Sequence, residues 1–245
     1  MYTKFLILTT QRSGSTHLTQ LLGTHPNITT YSEIFNESAI GWGRWKPTYA
    51  TPSHRALFYF RNIFPQYFLK HYIYKKYPNQ IQAVGFKVMY SQLERFPSLI
   101  PYLISQNVQM LHLKRTNLLD VYVSLKRSEV ANIWHTTTAS RPNVRLYIEI
   151  NECREFFEKQ HNLQMYYSKL VSNAKTITVS YEQIHAHEQR EIEKIESFLR
   201  VQPMPLHSIF HKMNDLPHHT TIVNYDELSN AFKKTQWEYF FKITQ

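Results

Sequence analysis

The chain has 245 residues, 42% of them apolar and 15% aromatic, and a formal charge of +10. That composition excludes a disordered chain and suits one α/β domain with a substantial buried core. The charge suits an anionic partner, whether nucleic acid, an anionic lipid surface or a phosphate-rich cofactor. The densest basic clusters, such as Lys75-Lys76 and Lys126-Arg127, are short for a nucleic-acid module. One cysteine, Cys153, rules out an intrachain disulfide and fits a reducing compartment. The apolar run after Lys4 is too short for a signal peptide, and no stretch approaches the ~20 apolar residues of a membrane span. A soluble, cytoplasmic protein is expected.

Taken in order, Phe5 to Leu8 reads as a buried strand, Thr10 to Ser15 as a tight polar loop, and Thr16 to Leu22 as a helix with Leu18, Leu21 and Leu22 at helical spacing. Strand, loop and helix in this order aim backbone N–H groups and a positive helix end at an anion. Gly14 lets the backbone approach that anion. Arg12 adds a fixed charge, and Ser13, Ser15 and Thr16 add hydroxyl donors. The loop lacks the G-x-x-x-x-G-K-[ST] pattern of a nucleotide-hydrolysing loop, since Thr9 stands at the leading glycine and no lysine follows Gly14.

Pro26 and Asn27 end the helix, and Ile28 to Tyr31 is a short strand or extended loop that delivers Glu33 to the same side of the sheet. Alone, Glu33 reads better as a capping or solvated residue. Residues 40–80 are aromatic and basic, with helices expected near 53–62 and 65–77. Their rings, Trp45 and Tyr49 among them, suit a sugar or lipid site or a cap over the sheet edge. Ala83 to Tyr90 is a second core strand with Lys87 near its carboxyl end, where ligands bind in α/β sheets. Pro97 to Ser105 is a helix and Val108 to Leu113 a third strand.

A helix is expected from about Thr116, with Leu118, Tyr122 and Leu125 on its buried stripe. Arg115 at the strand exit and Ser124 nine residues on are spaced to share one phosphate. Asn151 to Val171 is an amphipathic helix, Thr176 to Val179 a fourth strand, and Tyr181 to Leu199 one further helix. Residues 201–225 form a loop, and Asp226 to Phe241 a terminal helix. This alternation indicates a parallel sheet covered on both faces, with right-handed crossovers. His207 and His211, His185 and His187, and His218 and His219 come without the glutamate or cysteines of a zinc site, so no metal is expected. His17, beside the loop, reads as a helix-start residue or a substrate contact.

The chain resembles the PAPS-dependent sulfotransferases, most closely bacterial carbohydrate sulfotransferases and their Golgi relatives. Four segments carry the resemblance in order: QRSGSTHL (11–18), HPNITTYSEIF (25–35), LHLKRTNLLDVYVSLKRS (111–128) and TVSYEQI through IEKIESFLRV (178–201). TTIVNYDEL (220–228) is a weaker fifth. The resemblance spans the chain except residues 40–80. It implies a single domain of the P-loop NTPase-like, three-layer α/β/α sulfotransferase fold, with an aromatic helical insert at 40–80 and a C-terminal loop and helix at 201–245.

It further implies 3′-phosphoadenosine-5′-phosphosulfate as donor and a carbohydrate or glycolipid hydroxyl as acceptor, without metal. Arg12 would sit on the transferring sulfate, with Ser13, Gly14, Ser15, Thr16 and His17 around the 5′ end. Arg115 and Ser124 would hold the 3′-phosphate. Glu33 would be the general base. From their positions, and not from the resemblance, Lys87 at the strand end and His17 beside the loop are candidate substrate contacts. Many relatives space the 3′-phosphate pair by eight residues, so Ser128 stays open beside Ser124. The other readings are an ATP-dependent P-loop kinase-like transferase and a non-catalytic basic nucleic-acid-binding protein. A peripheral membrane contact and the oligomeric state are left open.

Overall fold

The computed structural model describes residues 1–43, 53–131, 144–207 and 217–242. Trp45, Tyr49 and His211 lie outside these residues. The chain forms two compact units, residues 1–114 with 166–208, and residues 115–165 with 209–245.

The first unit is built on five parallel strands in the order β2-β3-β1-β4-β5. They are β1 (Thr3–Thr9), β2 (Ile28–Glu33), β3 (Ala83–Met89), β4 (Gln109–Lys114) and β5 (Thr176–Ser180). Helices α1 (Ser15–Leu22), α2 (Ser53–Ile63), α3 (Pro65–Phe68), α4 (Tyr90–Glu94) and α5 (Leu99–Ser105) lie between them, with a π-helical turn at Leu69–Ile73. The apolar runs of β1, β3 and β4 are near-continuous because such strands are covered on both faces.

Alternation along the strands assigns the faces. Phe5, Ile7, Leu111 and Leu113 pack with Leu18, Leu21 and Leu22 of α1 and with Ile192, Ile195 and Leu199. Facing oppositely, Phe86 meets Phe35 and Tyr74, and His112 meets Tyr90. Tyr90 in turn stacks on Tyr167 at 4.5 Å. These layers are the expected α/β/α arrangement. Gly85 faces the Phe5 ring, where a Cβ would come within 2.4 Å of it.

In the second unit lies α6 (Leu118–Ala131), and α7 (Ile150–Leu170) contributes residues 150–165. Its core joins Leu119, Tyr122 and Val123 to Phe157, Phe232 and Phe240. Helix α6 starts two residues later than Thr116, because Asn117 caps it: its side-chain oxygen accepts from the backbone N–H groups of Leu119 at 3.0 Å and Asp120 at 3.3 Å.

Two expected helices are each broken. Tyr181–Leu199 is α8 (Tyr181–Ala186) and α9 (Glu188–Leu199), separated at His187, whose φ of −143° is not helical. After α10 (His218–Thr221), the terminal segment is α11 (Tyr225–Ala231) and a 3₁₀ turn at Glu238–Phe241. Lys234 between them adopts φ 60°, which a helix cannot absorb.

Candidate active site

In the first unit, β1 runs through a tight loop into α1. Strand β1 ends at Thr9, whose hydroxyl lies 2.9 Å from the Leu113 carbonyl and 2.6 Å from the Ser13 hydroxyl. Ser13 donates to the Thr10 carbonyl at 2.8 Å. Its hydroxyl is therefore turned inward and closes the loop, leaving its backbone N–H as its means of meeting a ligand. Arg12 and Gly14 both have positive φ, 59° and 80°. Left-handed residues interspersed in a tight turn bring successive N–H groups to one concave side. Helix α1 has no side-chain N-cap and no acidic residue in its first turn, so its N-terminal amides keep their affinity for an anion.

Gly14 also lies under Tyr181, the first residue of α8. A Cβ at Gly14 would fall 2.2 Å from one ring carbon and 2.4 Å from another. Tyr181 was not legible as a loop contact, since 167 positions separate it from Gly14 and no local pattern joins them.

Strand β2 delivers Glu33 through an irregularity. Tyr31 pairs with Phe86 but Glu33 pairs with Lys87, so one extra residue, Ser32, is accommodated on β2. The shift sets the carboxylate opposite the lysine, and their charged atoms are 3.1 Å apart. Lys87 is 1% exposed and also donates to the Thr16 hydroxyl at 3.1 Å. One buried ammonium thereby joins the carboxylate to the first turn of α1. Gln92 donates to the other carboxylate oxygen at 2.8 Å, and Asn36 at 3.4 Å. Burial alone would push the Glu33 carboxyl up; the Lys87 charge and the bonds from Lys87, Asn36 and Gln92 outweigh it and hold the group below the usual range. Gln92 and Asn36 were not legible as Glu33 partners.

His17 also reaches α9. Its Nε2 lies 2.9 Å from Glu188, the first residue of α9, in a partly exposed pair.

In the second unit, Arg115 is 8% exposed and its guanidinium meets Asp120 at 3.0 Å. The other Asp120 oxygen lies 2.7 Å from Nε2 of His218. Burial pushes the Asp120 carboxyl up, but the His218 bond and the Arg115 charge prevail and lower it. Neither Asp120 nor His218 was foreseen. The two serines differ: Ser128 is fully buried and donates to the Ser124 carbonyl at 2.8 Å, whereas Ser124 is partly exposed. Among the described residues, no group of three or more His, Cys, Asp or Glu side chains could hold a metal ion.

A parallel sheet whose first strand runs through a partly left-handed loop into an uncapped helix defines a P-loop-like α/β protein. The sequence pattern described as "Sulfotransferase family" matches residues 5–205, and the chain belongs to that family. It is a sulfotransferase, an enzyme that moves a sulfonate from a donor to an acceptor.

The fold is similar to the sulfotransferase domain from the curacin biosynthetic pathway, with a TM-score of 0.56 at 16% identity over 95% of this chain and 90% of that one. Mouse sulfotransferase SULT7A1, solved in complex with PAP, gives 0.50 at 13% identity over 98% and 87%. A sulfotransferase from Alicyclobacillus acidocaldarius gives 0.50 at 14% over 100% and 98%. These likenesses concern the fold. No curated protein matches the sequence.

Proposed function

We propose that the protein transfers the sulfuryl group of 3′-phosphoadenosine-5′-phosphosulfate to a hydroxyl of a carbohydrate or glycolipid, with Glu33 as general base. The observation that carries this reading is the Lys87 ammonium, in contact with both the Glu33 carboxylate and the Thr16 hydroxyl. It ties a candidate base to the start of the anion loop's helix, where a reacting sulfate and its acceptor have to meet.

In the reaction, the acceptor oxygen attacks sulfur as its proton passes to Glu33. The bond from sulfur to the bridging oxygen breaks, and its electron pair stays on the 5′-phosphate. Arg12, the loop amides and the amino end of α1 are preorganised for the charge arriving there, as oxyanion donors are in other transfers. Held ionised by its neighbours, Glu33 is ready to take a proton. Lys87 turns part of its charge to the departing 5′-phosphate, which leaves the carboxylate more basic as the proton moves. Gly14, Ser15 and Thr16, with the Ser13 amide, form the 5′ cradle, and His17 flanks it. Arg115 and Ser124 hold the 3′-phosphate. Ser124 is preferred to Ser128, whose hydroxyl is occupied within its own helix. None of these steps calls for a metal, because the sulfuryl group carries less charge than a phosphoryl group. The single cysteine is in keeping with a cytoplasmic setting.

The test is Glu33→Gln, which keeps shape and one acceptor oxygen but cannot take the proton. Transfer of labelled sulfate to a panel of sugars, glycolipids and phenols should fall by roughly 10²–10⁴-fold. Affinity for adenosine 3′,5′-bisphosphate, read by thermal shift, should persist. Undiminished turnover would remove Glu33 from the role.

A further inference from the structure

We infer that the outer face of α2 and α3 is a docking surface for an anionic phospholipid bilayer. The helical segment from Ser53 to Ile73 is apolar on two sides. One side is spent on the core, where Phe68, Leu69 and Ile73 are fully buried. The other points to solvent, and Tyr59, Ile63 and Tyr67 follow one another at i, i+4 along it. Ile63 and Phe64, at the corner where Pro65 opens α3, are 66% and 55% exposed. Phe60 packs beneath this ridge against Phe64 at 5.5 Å and Tyr67 at 5.6 Å, so the rings form one contiguous patch. Amphipathic helices of a water-soluble domain do not normally carry a second apolar face, and a patch of this kind marks a contact site.

Charge decides between occupants. From Ser38 to Leu93 there is no aspartate or glutamate, against eight lysines and arginines. Arg61 is turned inward onto the Ile34 and Asn36 carbonyls, and Lys87 is engaged with Glu33. Arg55, Lys70, Lys75 and Lys76 are exposed. A second copy of the chain laid on this face would oppose like charges; Glu37 shares a cavity with Arg55 and Tyr59, but no carboxylate lies in the segment to relieve Lys70, Lys75 and Lys76. Nucleic acid would match the charge but offers little to Ile63 and Phe64 at the corner. An anionic bilayer satisfies both: acyl chains accept Ile63 and Phe64, the headgroup level accepts the tyrosines, and the phosphates and carboxylates of the lipids accept the lysines. This site is independent of the donor-binding reading, since it requires neither Arg12 nor Glu33.

The test is flotation of the full chain with vesicles at about 0.1 M salt. Phosphatidylcholine vesicles containing about a third phosphatidylserine should carry the protein, and pure phosphatidylcholine vesicles should not. Two variants dissect the face, Ile63→Ser with Phe64→Ser, and Lys70→Glu with Lys75→Glu and Lys76→Glu. Each lysine near an anionic surface is worth about fivefold in partitioning, so the second variant should lose about a hundredfold or more. The first should lose about tenfold or more. Far-UV spectra and melting curves check the fold; should the apolar variant unfold, the charge variant alone carries the test.

Equal flotation by a folded variant and the parent would overturn the proposal. So would failure of the parent to float. Binding to an oligonucleotide, or dimerisation in sedimentation, that the variants abolish without any vesicle binding would reassign the face and likewise overturn it.

Discussion

At the residue scale, Gly14 answers two demands at once. Its φ of 80° suits glycine, and the Tyr181 ring occupies the space of a side chain. Gly14→Ala should therefore cost ~1–2 kcal/mol for the left-handed backbone alone, and more for moving the ring. Thermal unfolding should show the loss, and affinity for adenosine 3′,5′-bisphosphate should fall with it. In a Tyr181→Ala background the steric part should vanish and the backbone part remain, a non-additivity that a double-mutant cycle reads directly.

In the proposed mechanism, Lys87 acts through Glu33. Burial raises the carboxyl, and Lys87 is the largest of the influences that lower it. A general base works only while ionised, so the acid limb of kcat/KM follows its pKa. Lys87→Met leaves burial less opposed, and the limb should move to higher pH. A pH-rate profile that does not move would mean that Lys87 does not govern the base.

At the scale of elements, β4 carries a histidine where an apolar residue would be expected. His112 is 1% exposed, and its Nε2 lies 2.6 Å from the Tyr90 hydroxyl. Tyr167 donates to the Tyr90 carbonyl at 3.2 Å. Burial, helped by the Lys114 charge, holds His112 down to about 3. An unfolded chain takes up that proton near pH 6.5, so between these values the unfolded state binds more protons than the native one. Stability from this site is thus complete above about 6.5 and drains away as pH falls towards 3. His112→Gln keeps a partner for Tyr90 but cannot be protonated. Its melting temperature should depend less steeply on pH over this window than that of the parent.

Elements were legible where local pattern and tertiary role agree. The β1 run, the loop and α1 stand out because a buried strand, a polar turn and a leucine stripe follow one another within a short distance. The breaks at His187 and Lys234 were not legible, because the apolar spacing carries on across each of them. The Ser32 irregularity was equally hidden, being a matter of which residue on β3 it faces.

At the scale of the whole molecule, the parallel sheet and its family could be read because several short motifs fall in the right order along one chain. Glu33 and Lys87 could each be singled out, but not their pairing: 54 positions lie between them, and only strand register joins them. The same applies to Asp120 and His218. Charge was legible only as a total. Its concentration into a carboxylate-free segment gains meaning from the exposed rings of α2 and α3 that precede Lys70, Lys75 and Lys76 in that segment.

The Gly14–Tyr181 contact has a consequence for the order in which the protein matures. Chains emerge from the ribosome amino end first, so the turn at Gly14 is made well before Tyr181, 167 positions further on. The Tyr181 ring that packs on the turn arrives only once β5 has been translated. Native packing of the turn is thereby postponed until the β5 edge of the sheet has docked, and chains cut short of Tyr181 carry the loop sequence without that contact.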